Sequence, residues 1–169
     1  MWTHRSGFRP ALVLALALWG NASAADPSCA PAALAGCNIG MPLDTVVRHF
    51  PTATVEVHDG LQVLSASVKD PLPGVGLGEG NLEVTFDQSS TVSEIWFETK
   101  PAPPERDILT SVKRIWGEAD EEAHYDFVGK GVTNMSWAPC SRVSRKLNVV
   151  TKGTPQVTII HVGLVRELK

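Results

Sequence analysis

The stretch LEVTFDQSSTVSEIWF, from Leu82 to Phe97, decides the fold of this chain. Apolar residues alternate with polar ones as far as Phe86, a polar run follows, and apolar residues resume at Val92. Such alternation is typical of strands that bury one face, and a short polar run between two of them predicts a hairpin. By the same alternation Trp96, which has an apolar residue on each side, points to the opposite face of the sheet.

A similar pattern returns about 65 residues further along the chain, which indicates an internal repeat. There Leu147 and Val149 alternate with polar residues, and Val157 and Ile160 follow after a polar run. Each half opens with an apolar stripe of helical spacing, which is Leu43, Val46, Val47 and Phe50 in the first and Ile108, Val112, Ile115 and Trp116 in the second. The first of these regions recurs at an offset of 66: Leu43, Val46, Phe50 and Ala53 correspond to Leu109, Val112, Trp116 and Ala119. We therefore predict an α+β fold of two tandem helix-plus-four-strand repeats, 39–100 and 101–169, which form one antiparallel sheet with the helices on one face.

The first 24 residues have the pattern of a secretory signal peptide. A basic start precedes the apolar run Ala11–Trp19, and Ala22-Ser23-Ala24 supplies the small residues of a cleavage site. The run is about half the length of a membrane-spanning helix, so no stable membrane insertion is expected. We predict cleavage after Ala24, a periplasmic or secreted location, and an irregular lead-in over 25–38.

The cysteines Cys29, Cys37 and Cys140 remain after that cleavage. Export favours disulfides, although connectivity cannot be read from sequence. A Cys29–Cys37 bond is the simplest prediction, and a Cys37–Cys140 bond, which would tie the two halves together, is the alternative. Asp26-Pro27-Ser28 does not match the residues that lipoprotein processing requires, so Cys29 is not interpreted as a lipid-attachment site.

The chain has a formal net charge of −3 at pH 7. An acidic balance disfavours nucleic acid and anionic membrane surfaces as partners, and it fits a protein partner that is basic. The acidic run Glu118–Glu122 after the second helix is interpreted as a solvated turn that could also steer such a partner.

Catalytic and cofactor motifs are not found in the sequence. The spacing of His49, His58, His124 and His161 fits no compact metal-ligand pattern, and no Gly-x-Ser-x-Gly elbow occurs. The residues around Cys140 carry no signature of a thiol nucleophile. We therefore expect no metal, no cofactor and no enzymatic activity.

Two stretches are candidates for contact with a partner. In the first, Trp96 is either covered or a binding anchor on the face opposite the core, with Glu94 beside it. In the second, Gly76, Gly78 and Glu79 belong to a glycine-rich loop, which is either a flexible connection or a mobile loop that enters a partner's cleft. A phosphate-binding loop is disfavoured because a strand, not a helix, follows the glycines.

Two protein families resemble this chain in layout. GMPLDTV from Gly40 to Val46, Val84-x-Phe86-Asp87 and Val92-x-x-Ile95-x-Phe97 resemble the small outer-membrane lipoproteins of the β-barrel assembly machine. The tandem doubling is similar to the β-lactamase inhibitor protein family, whose two helix-plus-sheet repeats form one curved sheet. The resemblance implies a non-catalytic protein that binds other proteins in the envelope or outside the cell.

The functional hypothesis is an exported, soluble, non-catalytic protein-binding module, for example an inhibitor of a periplasmic or secreted enzyme. An envelope-assembly or structural accessory protein is the alternative, and a thiol-dependent enzyme is a weaker one. The sequence does not identify the partner.

Overall fold

The described residues form an α+β fold with one eight-stranded antiparallel sheet and two helices. The computed structural model describes residues 33–99, 104–127, 130–140, 142–150 and 157–164. The predicted signal peptide over 1–24 lies outside these residues, as does the lead-in as far as residue 32. Within the described segments no helix is both long and apolar enough to cross a membrane.

A helix precedes each run of four strands along the chain. The helices are α1 (Leu43–His49) and α2 (Glu105–Trp116). The strands are β1 (Thr54–His58), β2 (Leu61–Lys69), β3 (Glu79–Phe86), β4 (Val92–Thr99), β5 (Glu121–Phe127), β6 (Lys130–Cys140), β7 (Val143–Val150) and β8 (Val157–Leu164). Their order across the sheet is β1-β2-β3-β4-β8-β7-β6-β5, so β4 and β8 form the central pair. The predicted antiparallel sheet is confirmed.

Alternate strand residues form one buried cluster across the sheet. Fully buried side chains from six strands contribute to it: Leu64, Leu82, Val84, Phe86, Ile95, Phe97, Met135, Leu147, Val149, Ile160 and Val162. Because successive side chains point to opposite faces of a strand, the residues between them lie on the other side of the sheet. We call that side, which carries Glu83, Glu94, Trp96, Glu98 and His161, the outer face.

A β-bulge in the β3–β4 hairpin leaves the register around Trp96 intact. The register shifts only between Thr85 and Phe86, next to the turn. Glu83 pairs with Trp96 and Thr85 pairs with Glu94. The outer face therefore holds Trp96, Glu83, Glu94 and Thr85 together, as the alternation predicts.

The turn between β3 and β4 is built around Asp87 and receives the start of α1. The Asp87 carboxylate accepts the backbone N–H groups of Ser89 and Thr91 at 2.9 and 3.0 Å. These bonds favour the charged form, so the pKa of Asp87 is lowered, chiefly by the bond from the Thr91 backbone. The backbone N–H of Leu43 donates to the Ser90 carbonyl at 2.9 Å, which fixes α1 against the turn.

The glycine-rich loop before β3 packs against the core. Its apolar residues Leu72, Val75 and Leu77 are at most 7% exposed. Asp70 closes the loop, because its carboxylate accepts the Gly78 N–H and its own N–H donates to the Gly78 carbonyl, both at 2.8 Å. Gly76 has a φ of +72°, a region that L side chains rarely adopt, so glycine permits the path that inserts its apolar neighbours. The loop therefore holds three apolar side chains against the core, and its interpretation as a flexible surface connection or as a loop that enters a partner's cleft stays a prediction.

Helix α2 presents one apolar side to the same core. Ile108, Val112 and Trp116 follow a helical spacing and are buried, and Gly117 ends the helix with a φ of +82°. The acidic residues that follow do not form only a turn, because Glu121 and Glu122 already belong to β5. Tertiary pairing with β6 overrides the low strand propensity of glutamate at these positions.

Neighbouring residues on the two faces provide a test of this arrangement. Phe97→Ala removes a fully buried ring, and we expect it to cost about 3–5 kcal/mol of unfolding free energy. Trp96→Ala removes a side chain that is 39% exposed, and we expect a cost of about 1 kcal/mol, the size of a lost aromatic contact. Urea denaturation followed by circular dichroism measures both. Equal losses at the two positions would contradict the assignment of faces.

Candidate functional site

Trp96 is the exposed aromatic residue at the centre of the outer face. Its indole is 39% exposed, whereas Ile95 and Phe97 on either side are fully buried. It pairs with Glu83 of β3 and with His161 of β8, so both neighbouring strands meet at this residue. The position is thus set by the central strand pair and not by a loop.

His161 and Glu94 hold the indole in place. The rings of Trp96 and His161 stack, with centroids 4.1 Å apart and planes inclined by 24°. His161 Nε2 lies 2.7 Å from Glu94 Oε1. Gly163, opposite Glu94, leaves room for this pair, because a Cβ there would lie 2.8 Å from His161 Nε2 and 3.4 Å from Glu94 Cγ. We call Trp96, His161, Glu94 and Gly163 the indole site.

The imidazole in the indole site favours its neutral form. Burial lowers the pKa of His161 from its usual value of 6.5, Glu94 opposes this effect, and Lys146 across the β7–β8 pair adds to it. A carboxylate only accepts hydrogen bonds, so a neutral imidazole facing Glu94 carries its proton on Nε2. Trp96 therefore stacks on an uncharged ring at neutral pH.

A small cavity opens beside the indole. Its volume is about 190 Å³. The described residues that line it are Asn81, Glu83, Trp96, Phe97, Glu98 and Ile159. The wall combines the Trp96 indole with the carboxylates of Glu83 and Glu98 and the amide of Asn81. The carboxylates accept hydrogen bonds, and the amide N–H groups donate them.

The structure brings together only some of the predicted contact residues. Trp96 and Glu94 share the indole site. Glu79 lies on the same face at the start of β3, where it accepts a hydrogen bond of 2.9 Å from Ser67, but it is about 13 Å along the strand from Glu83. Gly76 and Gly78 belong to the loop that packs against the core. His161 and Gly163 were missed, because the pairing of β4 with β8 is not encoded locally.

A larger cleft lies between α2 and the β5–β6 hairpin, and the sequence gives no sign of it. Its volume is about 750 Å³. Thr133 sits in its wall, where its hydroxyl donates to Glu105 of α2 and lies 2.9 Å from His124 Nδ1. Because the hydroxyl proton is directed to Glu105 and Thr133 is only 3% exposed, this group is not arranged as a nucleophile. The network instead fastens the first turn of α2 to the sheet.

Among the described residues, no group of three or more His, Cys, Asp or Glu side chains is placed to hold a metal ion. Cys37 is 1% exposed, and burial raises the pKa of its thiol to about 11. Cys29 and the side chain of Cys140 lie outside the described residues, so the Cys29–Cys37 disulfide stays a prediction.

The opposing effects of burial and of Glu94 on the pKa of His161 can be tested by titration. Glu94 raises the pKa of His161 and burial lowers it, so we expect Glu94→Gln to lower this pKa further. Because the folded-state pKa lies below the unfolded value, stability from neutral His161 is complete above about pH 6.5 and is lost as the pH falls through the folded-state pKa. Nuclear magnetic resonance of the imidazole measures the pKa in both proteins. Glu56→Gln on an edge strand is the control, and a higher pKa in Glu94→Gln would contradict the assignment.

No protein family, curated protein or solved structure significantly matches this chain.

Proposed function

We propose that this protein is an exported, soluble, non-catalytic protein-binding module that docks a protein partner on its outer face, for example as an inhibitor of a periplasmic or secreted enzyme. The observation that carries the proposal is the exposed Trp96, held in one orientation at the centre of the sheet by His161 and Glu94. Tryptophan is enriched among the residues that dominate the energy of protein interfaces.

The side chains of the indole site are already held in place before a partner binds, and this favours affinity. An interface side chain that is immobilised only on binding costs conformational entropy, and this cost reduces affinity. The stacking on His161 restricts the indole before any partner arrives. Glu94 in turn restricts His161 through the 2.7 Å contact. Such a preorganised anchor on a rigid sheet is well suited to a protein interface.

We also propose that the chain is a tandem duplication with both helices on one face of the sheet. A helix followed by four strands occurs twice along the chain, and the fourth strands of the two halves, β4 and β8, meet at the centre. Buried residues of α1 and α2 belong to the same cluster as the core-facing strand residues, which supports helices that cover one side. Trp96 and His161 then come from different repeats, and the site spans their junction.

The charge of the outer face favours a basic partner. Among residues whose side chains the structure describes, the strand register places six glutamates and two lysines there: Glu56, Glu79, Glu83, Glu94, Glu98 and Glu121, with Lys69 and Lys146. Such an excess of one sign speeds association with a partner of the opposite sign. The signal-peptide pattern of 1–24 supports an encounter in the periplasm or outside the cell.

Affinity capture tests this proposal. The mature protein is used as bait for envelope and culture-medium extracts, and we expect one dominant enzyme to be recovered. Trp96→Ala should weaken that capture by about a hundredfold, the effect of losing an interface hot spot. Val57→Ala, which shortens another exposed apolar side chain on the edge strand β1, should leave capture unchanged.

Two other results have distinct meanings. Equal capture by Trp96→Ala and the parent protein would refute the outer face as the docking surface. Recovery of membrane-complex components in place of an enzyme would favour an envelope-assembly accessory. Denaturation curves of both variants exclude loss of folding as the cause.

A further inference from the structure

Resting on the docking function proposed above, we propose that the cavity beside Trp96 receives a cationic side chain, a lysine or an arginine, from a basic segment of the protein partner. The class of ligand follows from the wall of the cavity, which contains an indole and the carboxylates of Glu83 and Glu98. The docking of a partner on the outer face does not itself require this chemistry, so the two proposals can fail separately.

The indole offers a surface that attracts cations. An ammonium or guanidinium group within about 6 Å of an aromatic centroid is attracted by the electron density of the ring, most strongly for tryptophan. His161 already covers one side of the Trp96 ring, whereas the described wall of the cavity adjoins Glu83, Glu98 and Ile159. Trp96 thus lines the cavity, and none of the described wall residues brings a cationic side chain to it.

The carboxylates select against neutral and anionic ligands. Glu83 lies directly across from Trp96 on β3, and Glu98 is two positions along β4 on the same face. Glu83 accepts a hydrogen bond of 3.3 Å from the Asn81 amide. An anion in the cavity would meet two like charges, and an apolar group would displace water from the carboxylates without donating a hydrogen bond to them. An ammonium or guanidinium group instead donates charge-assisted hydrogen bonds to the carboxylates.

The charged groups around the cavity are compatible with a cation. His161 is uncharged at neutral pH because burial lowers its pKa, so it does not repel a positive ligand. Lys146 pairs with His161 on the side away from Trp96, so its backbone lies two strand spacings, about 10 Å, from that of Trp96. Glu94 is a third carboxylate on the same strand as Trp96. The nearest fixed charges in the sheet register are thus negative.

A protein side chain fits better than a free cation of the same chemistry. The cavity, of about 190 Å³, accommodates one side-chain end group and is bounded by the exposed surface of a sheet. A free cation would gain only the contacts of the cavity itself, whereas a partner residue adds the surrounding area of the outer face to the same association. The acidic excess of that face supports a partner segment with more than one basic residue.

Short peptides test the inference directly. Acetyl-Gly-Lys-Gly-amide and acetyl-Gly-Arg-Gly-amide are titrated into the mature protein, and the Trp96 indole N–H, identified from its absence in Trp96→Phe, is followed by nuclear magnetic resonance. We expect saturable shifts with both peptides. Acetyl-Gly-norleucine-Gly-amide, which has a side chain of similar length without charge, should give no such shift.

Matched variants identify the responsible groups. Glu83→Gln together with Glu98→Gln should weaken binding of the cationic peptides about tenfold, the loss expected when charged acceptors become neutral. Glu56→Gln together with Glu121→Gln removes the same charge from the edge strands and should change binding less than twofold. Equal weakening by both pairs would overturn the cavity as the binding site and would indicate that the acidic surface as a whole attracts the peptides.

The remaining outcomes separate this inference from the proposed function. Equal shifts with the norleucine peptide would overturn the selection of a cation and leave the docking proposal intact. If no peptide shifts the Trp96 signal but capture of the partner still depends on Trp96, the cation site is overturned and the docking proposal stands. Binding of the lysine peptide, with capture independent of Trp96, would support the cation site and refute the docking role of the outer face.

Discussion

The pairing of β4 with β8 is the interaction on which the rest of this structure depends. Across the described sheet it is the strand pair that joins β1–β4 to β5–β8. Six residue pairs are in register, from Glu94 with Gly163 to Thr99 with Thr158. Because the side-chain period of a strand is two, this one register decides which residues of both halves share the core and which share the outer face. A slip of this pairing by one residue would turn the apolar side chains of one half to the face opposite those of the other half.

The same register creates the core and the candidate site on opposite sides of one strand pair. On the inner side Phe97 pairs with Ile160, and both are fully buried. On the outer side Trp96 pairs with His161, and the rings stack at 4.1 Å. The buried pair holds the backbone that carries the exposed pair, so the proposed anchor is ordered without a surrounding pocket of loops.

Buried polar and charged groups show where packing, not local pattern, sets the structure. Arg145 is only 4% exposed and lies over the Trp116 ring at 5.9 Å, below the end of α2. Burial lowers the pKa of its guanidinium, and the charge of Asp120 opposes that effect. The Trp137 indole donates to the Gly117 carbonyl at 3.1 Å, so the helix end is fastened to the sheet. None of these contacts is visible in the alternation of the strands.

The sequence by itself determined the element types and their faces, because alternation and helical spacing are local properties. The LEVTFDQSSTVSEIWF stretch predicted both the hairpin and the outward direction of Trp96, and the apolar stripes predicted α1 and α2. Only the tertiary structure decided that His161 lies beside Trp96, because strands far apart in sequence have no local signal for their pairing. It likewise decided that the glycine-rich loop packs inward, since Val75 and Leu77 alternate with glycines in a pattern that does not reveal which side the core will occupy.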